Sequence, residues 1–119
     1  METKGLIMEH VYFGEFGSWQ DVMEQFQVPE QDRPLPDQVI YAAYDCPSYE
    51  GYADVIYRIG DRYFWASGSH CSCYGLEDQW APEEYSREQI LEAVQRQGQF
   101  YFSENAEEAR ALVLRRLSQ

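Results

Sequence analysis

The stretch YADVIYRIGDRYFWAS, residues 52–67, decides the fold. Two runs rich in β-branched and aromatic residues flank the dipeptide Gly60-Asp61. Glycine at the first position of a two-residue loop is typical of a type II′ turn, so the stretch predicts a β-hairpin of residues 52–59 and 62–67. The expected cross-strand pairs are Tyr57 with Phe64, Val55 with Ala66, Ile56 with Trp65, and Arg58 with Tyr63.

Further strands are predicted on both sides of this hairpin. The run 10–16 is rich in β-forming residues, and 100–102 is a short aromatic run. The run 38–45 is apolar on both faces, which predicts an interior strand. Its order along the chain favours a meander with the hairpin. The three prolines of 29–37 predict an exposed loop, and the acidic residues after Pro82 predict a turn.

Three helices are predicted from polar caps followed by apolar stripes. The caps and their partners are Ser18 with Asp21, Ser86 with Gln89, and Asn105 with Glu108. We expect the second helix to cover about residues 87–97. The whole chain, 1–119, is then one α+β domain: an antiparallel sheet of about four or five strands, with about three helices mainly on one face.

The charge of the chain limits its partners. Net charge is −12, from 21 acidic and 9 basic residues, and Lys4 is the only lysine. Such a surface repels phosphate backbones, so direct nucleic-acid binding is not expected, whereas a basic protein surface would be attracted. Ten tyrosines suit half-buried surfaces that meet a partner or line a sheet. No apolar run approaches the roughly 18 residues of a membrane span, and three cysteines fit no disulfide framework. A cytoplasmic location is therefore expected.

The most chemically dense stretch is GSHCSCYGLEDQW, residues 68–80, which is predicted to be a structured loop. In the expected meander, Cys46 lies near His70, Cys71 and Cys73, a possible Cys₃His zinc site. Adjacent His70 and Cys71 are poorly placed to bind one ion, and Cys-x-Cys is shorter than the usual spacing. No metal site is assigned, and zinc is kept as a candidate cofactor.

The same loop has two other interpretations. Cys71 beside His70 has the residue types of thiolate catalysis, although neighbours in sequence rarely point at each other. The structural interpretation is the commoner one: glycines bend the loop, Leu76 and Trp80 fill the core, and the cysteines are buried thiols. No residue is assigned a catalytic role. The nearby acids form an expected partner-binding rim with one aromatic: Glu77, Asp78, Glu83, Glu84 and Tyr74.

The motif GSHCSCYGLE, residues 68–77, continued by Gln79-Trp80 and Pro82-Glu83, resembles a motif of small proteins of phages and prophages. The resemblance covers about a quarter of the chain. It implies a mobile element and action inside a bacterial cell, and carries no activity or site residue.

Two hypotheses follow. The first is a non-enzymatic acidic protein that docks on a basic surface of a host protein, as an inhibitor of a nucleic-acid-handling or defence complex of the anti-CRISPR or DNA-mimic kind. The second is a small Cys/His-dependent enzyme or zinc-stabilised module built on His70, Cys71 and Cys73. Binding to a basic partner would weaken with salt, whereas the second hypothesis requires the cysteines.

Overall fold

The structure is a computed structural model that describes residues 11–45, 50–70, 75–95 and 106–118. In these ranges the chain forms the predicted α+β fold, with a five-stranded mixed sheet in the order β1-β2-β3-β4-β5. The predicted strand 100–102 and the cap Asn105 lie outside the described residues. The elements in chain order are β1 (Tyr12–Gly14), α1 (Trp19–Phe26), β2 (Val39–Asp45), β3 (Gly51–Ile59), β4 (Arg62–His70), β5 (Glu83–Tyr85), α2 (Arg87–Gln95) and α3 (Ala106–Leu117).

The hairpin of β3 and β4 confirms the predicted register. Gly60 has φ +64°, and Asp61 is not among the residues with positive φ, as a type II′ turn requires. Both strands run three residues or fewer beyond the predicted ends, so that Gly51 pairs with His70. Residues 68–70 of the dense motif therefore belong to a strand rather than to a loop. The four predicted pairs are all present: Tyr57 with Phe64, Val55 with Ala66, Ile56 with Trp65, and Arg58 with Tyr63.

β2 is the interior strand that its composition predicts. It pairs with β3 in the antiparallel sense, and every residue from Val39 to Tyr44 is buried. The predicted meander of β2, β3 and β4 is confirmed. The carboxyl ends of β2 and β4 consequently lie at the same end of the sheet, on either side of β3.

The sheet is not wholly antiparallel, because β1 runs parallel to β2. The chain leaves β1, passes through α1, and returns before entering β2, which is the crossover that parallel neighbours require. β1 is also shorter than the predicted strand 10–16. Gly14 ends it with φ +68°, a conformation that breaks the extended backbone.

β5 replaces the predicted acidic turn. Its three residues pair with Tyr63–Trp65 at the edge of the sheet. The strand is held by a cross-strand pair of tyrosines, Tyr63 and Tyr85, and by an ion pair from Arg62 to Glu84 at 2.6 Å. The sequence does not predict β5, because glutamate is depleted in strands and three residues are too few to show a periodicity.

The predicted helix caps are present where the structure describes them. Ser18 Oγ accepts a hydrogen bond from the Asp21 amide at 3.2 Å. At α2 the box is reciprocal, since Gln89 N donates to Ser86 Oγ at 3.0 Å and Ser86 N donates to Gln89 Oε1 at 2.8 Å. Each bond satisfies an amide that the first helical turn leaves without a partner.

Helices cover both faces of the sheet. Alternation along β3 places Asp54 and Tyr57 on opposite faces. Trp80 stacks on Tyr57 and meets Phe26 of α1 edge-on, so α1 covers the Tyr57 face. α2 borders a pocket with Asp54, and α3 packs on α2 and β2. The expectation of helices mainly on one face thus describes α2 and α3, with α1 opposite.

The proline-rich loop is more structured than its composition predicts. It contains two 3₁₀ turns, Glu30–Asp32 and Pro36–Gln38. Pro34 is buried, and its carbonyl accepts a hydrogen bond from Trp19 Nε1 at 2.9 Å. Among the helices of the described ranges, none has the length and hydropathy that crossing a bilayer would take.

We expect Gly60→Ala to lower the free energy of unfolding by about 1 kcal/mol, because alanine is strained at positive φ. No atom lies within 4 Å of the added Cβ, so the cost is conformational rather than steric. Urea unfolding measures it. Gly17→Ala is the matched control, since its Cβ would meet only Asp21 Oδ2 at 3.9 Å, and positive φ is absent there. Equal effects at both positions would contradict the assigned turn.

Candidate functional site

A pocket of about 420 Å³ lies between the sheet and α2. Strands β3, β4 and β5 supply one wall and the exposed side of α2 the other. Its lining combines carboxylates with aromatic rings and includes no arginine or lysine among the described residues. The lining residues are Asp54, Trp65, Ser67, Ala81, Glu83, Tyr85, Gln89, Glu92 and Ala93.

Asp54 is the buried charged group of this pocket. It lies mid-strand on β3 with 8% of its surface exposed. Trp65 Nε1 donates a hydrogen bond of 2.8 Å to Asp54 Oδ1. Burial raises the pKa of Asp54 to about 7, while the bond from Trp65 lowers it. Near neutral pH this carboxyl group is therefore poised between its protonated and ionised forms.

β5 brings a second carboxylate and an aromatic ring to the same pocket. Tyr85 Oη donates to Glu83 Oε1 at 3.1 Å. Burial and the neighbouring Glu83 raise the pKa of Tyr85, which keeps its hydroxyl a donor at neutral pH. The rings of Trp65 and Tyr85 lie 5.4 Å apart, tilted by 52°. The pocket thus offers negative charge beside two aromatic surfaces.

The described residues of this pocket do not form a metal site. Within the described ranges, no three His, Cys, Asp or Glu side chains come together closely enough to hold an ion. The candidate zinc ligands Cys46, Cys71 and Cys73 lie outside those ranges. The zinc site and the cysteine-dependent enzyme therefore stay hypotheses from sequence.

His70, the candidate zinc ligand that lies in the described ranges, is hydrogen-bonded to Tyr44 of β2. Tyr44 Oη lies 2.5 Å from His70 Nε2, so the hydroxyl and the ring nitrogen share a hydrogen bond. The two rings also meet edge-on, with centroids 5.7 Å apart. The imidazole lies over Gly51, where any Cβ would overlap it. While this bond persists, Nε2 of His70 is not available to a metal or a thiol.

The second half of the dense motif serves as core. Leu76 is fully buried, and Trp80 is held between the rings of Tyr57 and Phe26. Gln79 fastens the segment to β4, since Ser69 N donates to Gln79 Oε1 at 2.9 Å. These contacts confirm the structural interpretation for Leu76 and Trp80.

Gly68 has a different role from the predicted bend. It lies inside β4, and a Cβ there would approach Leu76 Cδ2 at 3.0 Å and Phe26 Cε1 at 3.1 Å. The glycine is needed for close packing of the motif and α1 on the strand.

The predicted acidic rim is divided between different parts of the surface. Glu83 and Glu84 are successive residues of β5 and therefore project from opposite faces. Glu83 lines the Asp54 pocket, whereas Glu84 accepts two hydrogen bonds from Arg62, at 3.0 and 2.6 Å.

Glu77 and Asp78 lie in the turn after Gly75. Glu77 Oε2 accepts from Gly75 N at 3.4 Å, and Asp78 is exposed with φ +65°. Tyr74, the fifth predicted residue, lies outside the described residues.

Asp54 is the site residue that sequence analysis did not select. A signal was present, because an acid in the middle of a buried strand is uncommon unless it is paired or functional. The hairpin register also places Asp54 opposite Ser67 and on the face of Trp65. What the sequence does not supply is the position of α2, which closes the pocket over that face.

Comparison of the chain with models of protein families, with curated proteins and with solved structures finds no match in any of the three.

We expect Asp54→Asn to stabilise the protein increasingly as pH rises. The ordinary pKa of this group is 3.8, so between pH 4 and 7 the folded state holds a proton that the unfolded state has lost. The contribution of Asp54 to stability therefore falls as pH rises through that window, then levels off. Urea unfolding should show the advantage of Asp54→Asn growing from about 1 kcal/mol at pH 4.5 to about 4 kcal/mol at pH 8.

Glu83→Gln, which removes an exposed carboxylate of the same pocket, is the control and should show no comparable rise with pH. An advantage of Asp54→Asn that is the same at both pH values would contradict a raised pKa for Asp54.

We expect Gly51→Ala to break the bond between Tyr44 and His70, because the added Cβ takes the place of the imidazole. Loss of that bond should cost about 1 kcal/mol. Tyr44→Phe removes the same bond without the steric change. In a double-mutant cycle followed by urea unfolding, Tyr44→Phe should therefore cost little in the Gly51→Ala background. Additive costs would show that the ring keeps its place.

Proposed function

We propose that this chain is a non-enzymatic acidic binding protein that docks on a basic surface of a host protein. The partner class is a bacterial nucleic-acid-handling or defence complex, with inhibition of the anti-CRISPR or DNA-mimic kind. The observation that carries the proposal is the gathering of carboxylates around β5 and α2. We call Glu83, Glu88 and Glu92 the β5–α2 acids; all three are exposed.

The arrangement of the β5–α2 acids favours a partner. Glu83 and Glu92 border one pocket, and Glu88 and Glu92 lie one helical turn apart on α2. Like charges at this spacing destabilise an isolated helix by a few tenths of a kcal/mol. A basic surface brought against them would turn that repulsion into attraction.

Several arginines of the described ranges are bound to groups other than the β5–α2 acids. Arg62 pairs with Glu84. Three others donate through Nε to carbonyl groups of their own chain: Arg33 to Val28, Arg58 to Gly60, and Arg87 to Leu117. Those bonds hold the three arginines at turns and at a helix end. The excess of carboxylates comes from the composition of the chain, which has 21 acidic and 9 basic residues.

The charge class of the proposal is supported by the balance of the whole chain. With 21 acidic and 9 basic residues, the protein would be steered toward a basic channel at a rate that falls with ionic strength. A DNA-binding channel is one such surface, since it is lined to receive phosphates.

We expect Glu83→Lys combined with Glu88→Lys to abolish capture of the partner. The assay is a tagged pull-down from nuclease-treated bacterial lysate at low and high salt, with captured proteins identified by mass spectrometry. Wild-type protein should capture a nucleic-acid-binding protein at low salt and release it at high salt or on addition of duplex DNA. Glu84 is left unchanged, so that its ion pair with Arg62 is kept.

Glu24→Lys combined with Glu30→Lys is the matched control. It changes the net charge by the same amount, its residues are exposed, and Glu24, like Glu83, accepts one side-chain hydrogen bond. Capture by this variant should persist. Equal losses in both variants would mean that only total charge matters, and equal retention would place the interface elsewhere; either result contradicts docking through the β5–α2 acids.

A further inference from the structure

We propose that the pocket between the sheet and α2 is a subsite for a single guanidinium group, presented by an arginine side chain of the basic partner. The inference rests on the proposed function, because it names the chemical group that the acidic surface receives. The pocket contains a buried carboxylate, a second carboxylate at its rim, and an aromatic surface made by Trp65 and Tyr85. The buried carboxylate and the aromatic surface favour different properties of the ligand.

The buried carboxylate selects positive charge. Asp54 is more than nine-tenths buried, and its described hydrogen bond is from Trp65 Nε1 to Oδ1. No second bond to this carboxylate is made within the described ranges, so Oδ2 can accept from a ligand. An ionised carboxylate in such surroundings is costly unless a cation accompanies it. A cationic ligand with N–H donors would donate a hydrogen bond to Oδ2 and would also balance the negative charge of the carboxylate.

The aromatic lining selects a flat cation. The rings of Trp65 and Tyr85 pack against each other, with centroids 5.4 Å apart, and together form an aromatic surface beside the carboxylate. Guanidinium is planar and weakly hydrated and stacks on aromatic faces, whereas ammonium is compact and strongly hydrated. The chain already shows this contact elsewhere, since the guanidinium of Arg58 lies 5.3 Å from the ring centre of Tyr63.

The size and rim of the pocket are consistent with one side chain rather than a metal ion. At about 420 Å³ it falls within the range of pockets that take small organic groups, roughly 300–1,000 Å³. Glu83 stands at the rim, its Oε1 accepting from Tyr85. Because the described acids are too dispersed to enclose an ion, they suit a ligand that spans them with several N–H groups.

Binding at this subsite is coupled to a proton. Among the residues that the structure describes, the titratable groups that line the pocket with Asp54 are Glu83 and Tyr85 on β5 and Glu92 on α2, while β4 contributes Trp65 and Ser67. Since Asp54 has a pKa of about 7, the cation competes with a proton for the carboxylate. The apparent affinity should rise about tenfold between pH 6 and pH 8 and change little above pH 8.

The first test uses methylguanidinium as the probe on the full chain, followed by NMR. The reporter is the indole N–H of Trp65, assigned by its loss in Trp65→Phe, because this group donates to Asp54. Methylguanidinium should shift it saturably. Methylurea, which is neutral and of similar shape, should not, and methylammonium should bind at least several-fold more weakly. Equal responses to methylguanidinium and methylurea would overturn the proposal.

Asp54→Asn should weaken methylguanidinium binding at least tenfold and abolish its dependence on pH. This variant is expected to be more stable than the wild type, so loss of binding would not reflect unfolding. Asp61→Asn, in the hairpin turn and away from the pocket, is the control and should bind as the wild type does. Unchanged binding by Asp54→Asn would refute the subsite.

The subsite and the proposed function can fail separately. If methylguanidinium binds in an Asp54-dependent way while the Glu83→Lys, Glu88→Lys variant still captures its partner, the subsite stands and docking through the β5–α2 acids falls. If the partner is lost from that variant but methylguanidinium does not bind the wild type, the docking surface stands and the subsite falls.

Discussion

The pairing of β3 with β4 is the interaction on which the rest of the structure depends. Nine residues of each strand are aligned by a two-residue turn that needs the positive φ of Gly60. β2 and β5 add to the two outer sides of this hairpin, and both helical layers pack on its faces. A slip of one residue would exchange the two faces, moving Asp54 into the aromatic core and Tyr57 into the pocket.

The two faces of the sheet differ in how completely they are covered. The Tyr57 face is sealed by aromatic contacts, with Phe26 and Trp80 packed ring against ring. The Asp54 face is covered less completely, because α2 stands over it with glutamate and glutamine side chains toward the pocket. The buried acid is tolerated at a cost in stability that grows between about pH 4 and pH 7. In the proposed subsite, the same cost is what a bound cation would relieve. If the subsite proposal holds, one side chain, Asp54, influences both stability and recognition.

Much of the fold could be predicted because its signals are local. The turn dipeptide fixed the hairpin register, and polar caps located the starts of α1 and α2. The parallel placement of β1 could not be read from the sequence, since it follows from how the chain returns after α1. β5 escaped prediction because two glutamates are poor strand formers and are stabilised there by pairing with β4.

The candidate site was predictable only in part. Glu83 is predicted to be a partner-binding residue from its charge, and the structure places it at the rim of the Asp54 pocket. The pairing of Glu84 with Arg62 depends on a strand that the sequence does not predict. Asp54 was visible as an acid within an apolar strand. Whether Asp54 lines a pocket depends on α2, whose position is set by long-range packing rather than by any local pattern.

The shortness of β5 limits how another chain could pair with this edge of the sheet. An edge strand with many open amide and carbonyl groups would accept a strand from another chain, by augmentation or by aggregation. Here the edge ends after three residues, is preceded by Pro82, which has no N–H, and carries two glutamates. β5 itself therefore offers only a short length of backbone for pairing with another chain. In the proposed docking mode, recognition at β5 would rest on side chains, so that its specificity would depend on charge and shape and would respond to salt and pH.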